Sequence, residues 1–524
     1  MFTKIIVLTL LFISSFILHA TTGQYTLAYR DDPSTTISIG WSGDDGTVFY
    51  GTVDQGTNYL AYPLNHGVDR IGDAHGHNRK FARLTGLEPN TMYYFVIRDV
   101  QGQTSTRFKF RTLSDNPNDP VSYITGGDSR DGFKLLGLYI ENCPSGNCLD
   151  KRRDGNVLVS KIRPDFVAFN GDFIMNQVTS NTFDEWNQWL DDWQLTISSD
   201  GRMYPTLHTM GNHEDNLDNF HMFDIPEEQY YAVNINGGLL RLYFLNSELN
   251  ACTDTNQLLW LQNDLFMHTT GGTSDPVWKF AQYHISTFSM GNGYGLVQEQ
   301  MDCWISLFEQ YKIKMISESH SHVTKWTYPC VANNTNSDFI PSADGIVYIG
   351  EGQWGAPHRE LDFPGSNQKP YVRDQDVFDS FFFIKVNKNR TSIQCVKFEN
   401  VNDVINNSHD TLGGILPTGI TIWEPSNGNE IIIENNSLNT NQDLNLFEYE
   451  IIPNPVTAEI HITTNKTLEN MNIEVFNGLG KKCLSEKFSG TNHTVNLSEI
   501  CPGVIYVYLI SPDGSITSTK IVKQ

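Results

Sequence analysis

Phe166-Val167-Ala168-Phe169-Asn170-Gly171-Asp172 is an apolar run of four residues that passes at once into a polar turn ending in a carboxylate. A short apolar run bounded by turn residues reads as a buried strand. In α/β layers, side chains from separate elements converge just past such strand ends. The layout recurs on both sides. Val121-Ser122-Tyr123-Ile124 leads to Gly127-Asp128-Ser129-Arg130, and Trp278-Lys279-Phe280-Ala281-Gln282 leads to Tyr283-His284-Ile285. Gly211-Asn212-His213-Glu214 and His320-Ser321-His322 complete five polar blocks in order. Between them Trp186, Trp189, Leu190 and Trp193 recur at helical spacing, as do Leu258, Leu259, Leu261 and Leu265, and both sets read as core-facing stripes. Tyr231 to Asn246 alternates around Asn236-Gly237-Gly238, which predicts a hairpin. Strands alternating with helices make residues 120–400 an α/β layered domain.

The flanks read differently. Residues 24–114 form short alternating strands, among them Thr36 to Trp41, Met92 to Ile97 and Phe108 to Thr112, and Pro117-Asn118-Asp119-Pro120 is a linker. Residues 401–448 are rich in Asn, Ser, Asp and Thr and read as a loosely ordered linker. Residues 449–524 are β-rich, starting at Pro453-Asn454-Pro455, turning at Gly478-Leu479-Gly480 and ending in Lys520-Ile521-Val522-Lys523. At the other end Lys4, the apolar run Ile5 to Leu18 and the small residues Ala20 to Gly23 have the order of a secretory signal, residues 1–23. No later segment approaches transmembrane length.

The 524 residues are 39% hydrophobic and 12% aromatic, enough for real cores, and carry a net charge of −24. That charge argues against a nucleic-acid scaffold or an anionic-membrane binder. It leaves phosphate substrates open, because bound metal ions dominate the field of a site. Export makes the eight cysteines disulfide candidates. Cys143 and Cys148 could close their short loop, Cys483 and Cys501 share the tail, and the pairing of Cys252, Cys303, Cys330 and Cys395 stays open.

Asp, Asn and His suit borderline divalent metals, and the five blocks in this order resemble the calcineurin-like metallophosphoesterase superfamily. The first segment, with Trp41 and Leu87-x-Pro89-x-Thr91-x-Tyr93, resembles the fibronectin type III-like domain that precedes the catalytic domain of purple acid phosphatases. The tail resembles type IX secretion sorting domains. The resemblance implies a multidomain chain. An all-β sandwich comes first, then a four-layer α/β domain of two sheets flanked by helices, then a small all-β sorting domain.

The same resemblance implies site roles. Asp172 bridges two iron, zinc or manganese ions, Asp128 and His322 complete one site, and Asn212, His284 and His320 complete the other. His213 assists the leaving oxygen and Glu214 orients His213. Arg130, read from its own chemistry as a fixed fork of donors, either grips a phosphate oxygen or forms a salt bridge at the loop start. The implied activity is hydrolysis of a small phosphate monoester by hydroxide on the dinuclear centre, in a protein secreted or held at the cell surface through the sorting machinery. The alternatives are a phosphodiesterase or nucleotidase on the same site, and a surface binding protein whose enzyme domain has decayed. Three departures from the pattern stand out: Arg130 where a histidine is common, Met175 where purple acid phosphatases have a metal-ligating tyrosine, and Ser319 before His320. Asn176 is a candidate to replace the tyrosine. His208 reads as a buried strand histidine, His358 as a residue on a loop returning to the cleft, and His75 and His77 as an exposed loop of the first domain.

Overall fold

The computed structural model describes residues 21–135, 138–139, 141, 143, 147–176, 181–215, 217–269, 275–333, 338–365, 368–435, 449–477, 482–510 and 516–524. The expected signal segment lies mostly outside these residues, as do the Gly478-Leu479-Gly480 turn and residues 436–448.

The apolar runs form two central sheets. Val121–Gly126, Phe166–Phe169 and Thr206–His208 lie side by side and parallel in the first. Leu240–Phe244, Trp278–Ile285, Met315–Ser319 and Val347–Gly350 form a parallel block in the second. Tyr231–Ile235 adds to it as the antiparallel partner of Leu240–Phe244, the expected hairpin. Ile124, Val167 and Leu207 of one sheet share a core with Leu242, Phe280 and Met315 of the other. A polar seam crosses that core, where the Thr125 and Ser317 hydroxyls lie 2.9 Å apart and Asn170 Nδ2 donates to Ser317 Oγ at 2.8 Å.

Helices cover the outer faces. Cys148–Ile162 and Thr182–Trp193 pack on the first sheet, burying Leu158, Val159, Trp186, Trp189, Leu190 and Trp193. Thr255–Met267 packs on the second through Leu261 and Leu265, while Leu259 is turned to solvent. Asn147 and Asn181 cap the first two helices, each accepting from the backbone amide two residues on. Disulfides join Cys143 to Cys148 and Cys252 to Cys303. Cys330 and Cys395 remain buried thiols.

The N-terminal β segment is welded to the first sheet rather than tethered to it. Thr22–Ala28 extends that sheet beside Thr206–His208, with Ala28 opposite Thr206 and Thr206 Oγ1 donating to the Leu27 carbonyl at 2.9 Å. The sheet thus continues through Ile37–Gly43 and His77–Leu84 to Arg70–Ala74, ten strands in all. Trp41, Phe95 and Phe110 lie in the same apolar cluster as Phe169 and Trp189. His75 and His77 correct the exposed-loop reading. His75 Nε2 is 2.7 Å from Asp218 Oδ1, and the buried His77 ring stacks on Phe183 at 4.4 Å.

Residues 401–435, expected as linker, belong to the middle domain. Ile431–Glu434 pairs with Arg390–Lys397 at the edge of the ten-stranded sheet, and Trp423 stacks on Trp326 at 4.9 Å. Asp410 meets Lys109 at 2.7 Å and Arg202 at 3.2 Å, and also bonds Arg163. The anchors Val404, Trp423 and Ile431 are too far apart in sequence to set up a strand or helix period, so polar composition hid them. The tail is a separate antiparallel sheet with its own core around Ile462, Ile473, Val475 and Val507. It touches the middle domain where Phe266 packs on Tyr508 at 4.4 Å and Phe476 at 5.1 Å. Among the described residues no helix is long and apolar enough to cross a membrane.

Candidate metal centre

All five polar blocks sit at the carboxyl ends of the parallel strands, where the two sheets present their edges together. Asp128, Asp172 and His284 each offer a ligand atom, all within 4.8 Å of one another. Asn212 Oδ1 lies 3.1 Å from His284 Nε2 and 2.7 Å from His320 Nδ1, and His322 Nε2 lies 3.1 Å from Asp128 Oδ1. The six residues expected as metal ligands are therefore one cluster.

Backbone carbonyls orient the rings. His284 Nδ1 donates to the Asn170 carbonyl and His322 Nδ1 to the Pro357 carbonyl, each at 2.7 Å. With the tautomers assigned from those bonds, each neutral ring turns its Nε2 lone pair inward. That sets acceptor against acceptor: His322 Nε2 faces Asp128 Oδ1, and His284 Nε2 faces Asn212 Oδ1 and, at 3.3 Å, Asp172 Oδ1. Asp128 Oδ1 is buried with no hydrogen-bond donor. Converging lone pairs and an unpaired buried oxygen are costly alone and are resolved by a cation among them, so the donor set fits divalent metal. With no cation among them the same carboxylates draw a proton onto His284 instead: burial pulls its imidazole down, but Asp172 and Asp128 reverse this and hold it up at about 10, and a metal ion there takes that proton's place. Burial likewise raises the Asp172 carboxyl, and His284, His213 and Arg130 outweigh it and hold it well below the usual carboxylate range.

The backbone is strained where the cluster is built. Asp128, Asp172, His320 and His322 have φ of 58°, 55°, 83° and 53°. Left-handed conformations cost such residues roughly 1–2 kcal/mol each and concentrate at functional sites. Gly352, at φ 78°, lets its loop lie against the first carboxylate, where a Cβ would stand 1.5 Å from Asp128 Oδ2. Behind the His320-Ser321-His322 turn is a wholly buried charge network. Lys325 Nζ is 2.9 Å from Glu318 Oε2 and 2.6 Å from Glu351 Oε1, while Glu351 Oε2 takes the Ser289 hydroxyl at 2.9 Å and also the Ser321 hydroxyl.

Three expected residues do different work. Glu214 makes no bond to His213. Its carboxylate accepts the backbone amides of Gly211 at 2.7 Å, Phe173 at 2.7 Å and Asp172 at 3.0 Å, tying two strand-end turns together. His213 is oriented by the Met175 carbonyl, 2.8 Å from Nδ1, which leaves Nε2 3.8 Å from Asp172 Oδ2. Arg130 has its fork on Glu141, at 3.1 and 3.3 Å, with Nη1 also donating to Met175 Sδ at 2.9 Å, so it is not open to grip phosphate through both nitrogens. Its Nε lies 4.0 Å from Asp172 Oδ2. Met175 thus supports Arg130 and His213, and Asn176 does not replace the missing tyrosine. The Asn176 amide group donates to Asp215 and its carbonyl accepts from Thr182. His358 pairs with Asp379 at 3.2 Å, and His208 stacks on Phe223 at 4.0 Å in the core.

Sequence reasoning passed over two residues at the mouth. The Tyr294 ring stands edge-on to His320 at 4.8 Å, and the Arg359 guanidinium lies 5.0 Å from the Tyr294 ring centre. Both are in irregular loops with no motif, and nothing short of the fold brings them together.

Residues 147–324 match the calcineurin-like phosphoesterase family, a stretch that spans Asp172, Asn212, His213, Glu214, His284, His320 and His322. The middle of the chain is a calcineurin-like phosphoesterase domain. Residues 23–112 match the purple acid phosphatase N-terminal domain and residues 450–524 the secretion system C-terminal sorting domain, so the resemblance and fold class read from the sequence are borne out. Asp128 precedes the matched part of the phosphoesterase domain. An uncharacterized protein of Mycobacterium tuberculosis is 25% identical over 328 residues, covering 54% of this chain and 59% of that protein. Purple acid phosphatase 13 of Arabidopsis thaliana is 23% identical over 334 residues, covering 55% and 57%. The chain thus spans less than two thirds of the length of these relatives. In fold, the chain resembles a purple acid phosphatase from yellow lupin (Lupinus luteus) seeds. That comparison has a TM-score of 0.60 at 15% identity and covers 79% of this chain and 74% of the other. PhoD follows with a TM-score of 0.52 at 10% identity, covering 78% and 90%.

Proposed function

We propose that the chain is an exported phosphoesterase that hydrolyses phosphate monoesters at a two-metal centre. The observation that carries this reading is the convergence of Asp128, Asp172 and His284, whose ligand atoms all lie within 4.8 Å of one another, with Asp128 Oδ1 buried and unpaired. Asp172 would be shared between the two ions, with Asp128 and His322 helping to hold one and Asn212, His284 and His320 the other; the short distances among these residues support that reading. Metal ions bound there supply a water of lowered pKa and positive charge for the phosphoryl oxygens.

The chain's own residues do the rest. His284 and His213, with a smaller share from Arg130 at 4.0 Å, keep the Asp172 carboxylate ionised against its burial. The Met175 carbonyl holds His213 Nδ1, so a proton carried on Nε2 points into the cluster, where it can pass to the leaving oxygen. Glu214 keeps the Asp172 and Asn212 turns in register. Type IX export is supported by the match of residues 450–524, and the monoester preference by the purple-acid-phosphatase-like N-terminal domain.

The test is metal content by elemental analysis, with turnover of an aryl phosphate monoester and the matching diester, for the full chain and Asn212→Ala. Metal-dependent monoester turnover that is lost in the variant supports the reading. Faster diester turnover corrects the substrate class. A chain that binds metal and hydrolyses neither ester refutes it.

A further inference from the structure

Two loops close over His320. One follows Trp278–Ile285 and the other follows Val347–Gly350, and they are zipped by the Asn292 amide donating to the Glu360 carbonyl at 2.8 Å and by a bridge between Gly291 and Leu361. The Arg359 amide approaches the His322 carbonyl at 3.4 Å. This seam brings Tyr294 to both a cluster histidine and an arginine: its ring centroid is 4.8 Å from that of His320 and 5.0 Å from the Arg359 guanidinium.

The chain has 60 acidic residues against 36 basic ones, and its arginines are mostly held by carboxylates. Arg359 is not. Among the described residues its guanidinium has no ion pair and no hydrogen bond, and its Nε is shielded from water without an acceptor. Its charge is nevertheless felt at His322 and Tyr294. A planar fork of donors left unmatched is suited to two oxygens of one anionic group. Arg130, with its fork on Glu141, does not fill that role.

We propose that Arg359 and Tyr294 form a second anion subsite beside the metal centre, which takes a phosphoryl or carboxylate group carried on the leaving part of the substrate. The favoured substrates are then compact organic phosphates with two anionic groups, such as phosphoanhydrides, bisphosphates or phosphorylated acids. The phosphoesterase reading supplies only the identity of the first group.

Calorimetric titration of the metal-loaded full chain tests the subsite without turnover. Orthophosphate probes the metal centre alone, imidodiphosphate adds a second phosphoryl group, and phosphonoacetate adds a carboxylate. Arg359→Gln is expected to weaken one or both two-headed ligands by about 10- to 100-fold, the worth of a charge-assisted pair, and to leave orthophosphate and the melting temperature unchanged. Arg359→Lys restores part of the loss, keeping charge but not the fork. The more affected ligand names the second group. Equal losses on orthophosphate, or no loss on either two-headed ligand, overturn the subsite. If the wild type binds these ligands with the Arg359 selectivity and still hydrolyses no ester, the subsite stands and the phosphoesterase reading falls.

Discussion

Replacing Glu214 with glutamine separates two accounts of this residue. If it served His213, the change would slow the reaction and leave the protein otherwise intact. The structure gives it another task, because both carboxylate oxygens are consumed by the amides of Gly211, Asp172 and Phe173. A glutamine side chain has one acceptor oxygen. If that oxygen keeps the Gly211 and Asp172 amides, its NH2 group is turned against the Phe173 amide, and the opposite rotamer sacrifices two bonds instead of one. Burial and the Asp172 charge push the Glu214 carboxyl up, but three amides donate to its two oxygens and only the ionised form accepts from them all. Hydrogen bonds to a charged group contribute about 1.5–3 kcal/mol each, and a buried donor left unpaired costs a further ~1–3 kcal/mol. The expected loss is therefore about 2.5–6 kcal/mol, or roughly 5–24 °C in melting temperature at 2–4 °C per kcal/mol for a domain of 150–250 residues. Because the same amides hold the Asp172 and Asn212 turns together, metal content should fall with stability. His213→Ala, by contrast, should lose turnover while keeping metal and melting temperature. Thermal unfolding, elemental analysis and turnover on the two variants decide the matter. A Glu214→Gln protein with wild-type melting and full metal, but turnover as low as His213→Ala, would refute the structural account and reinstate the expected orienting role.

Gly352→Ala should abolish metal binding, since the new methyl would stand 1.5 Å from Asp128 Oδ2 at a φ of 78°. Wild-type metal content by elemental analysis would count against the packing described. Lys325→Met should destabilise the chain by about 3–5 kcal/mol, because it leaves the buried Glu318 and Glu351 carboxylates without their cation, and urea unfolding measures the loss. His208 is buried against Phe223, and burial pushes its imidazole down to about 3. The unfolded chain takes that proton near pH 6.5, so the stability held in neutral His208 is whole above that pH. It is lost as pH falls toward 3, by up to ~1.4 kcal/mol per unit. His208→Gln should flatten the urea midpoint between about pH 6 and 4 relative to wild type, and parallel pH profiles would refute the assignment.

The residues that cluster as candidate ligands were legible without the fold. Asp128, Asp172, Asn212, His284, His320 and His322 each stand within a few residues of an apolar run that makes a buried strand, and strand ends at one edge must converge. The helical stripe of Trp186, Trp189 and Trp193 and the hairpin around Asn236 were legible for the same reason, since their signals are periodic and local. What holds the ligands was not. The groups that aim His284, His213 and His322 are the carbonyls of Asn170, Met175 and Pro357, and a backbone carbonyl has no residue type to read. Glu214 was assigned to its sequence neighbour His213 when its oxygens instead reach amides on the Phe169 strand end, 41 and 42 positions away. Residues 401–435 read as linker because three scattered anchors make no period, yet each finds a partner in a core assembled from distant segments. Residue type and local period decided which groups make up the candidate site of this protein. Only the tertiary structure decided which of their partners are within bonding distance, because hydrogen bonds and ion pairs act over a few ångströms of space and take no account of separation along the chain.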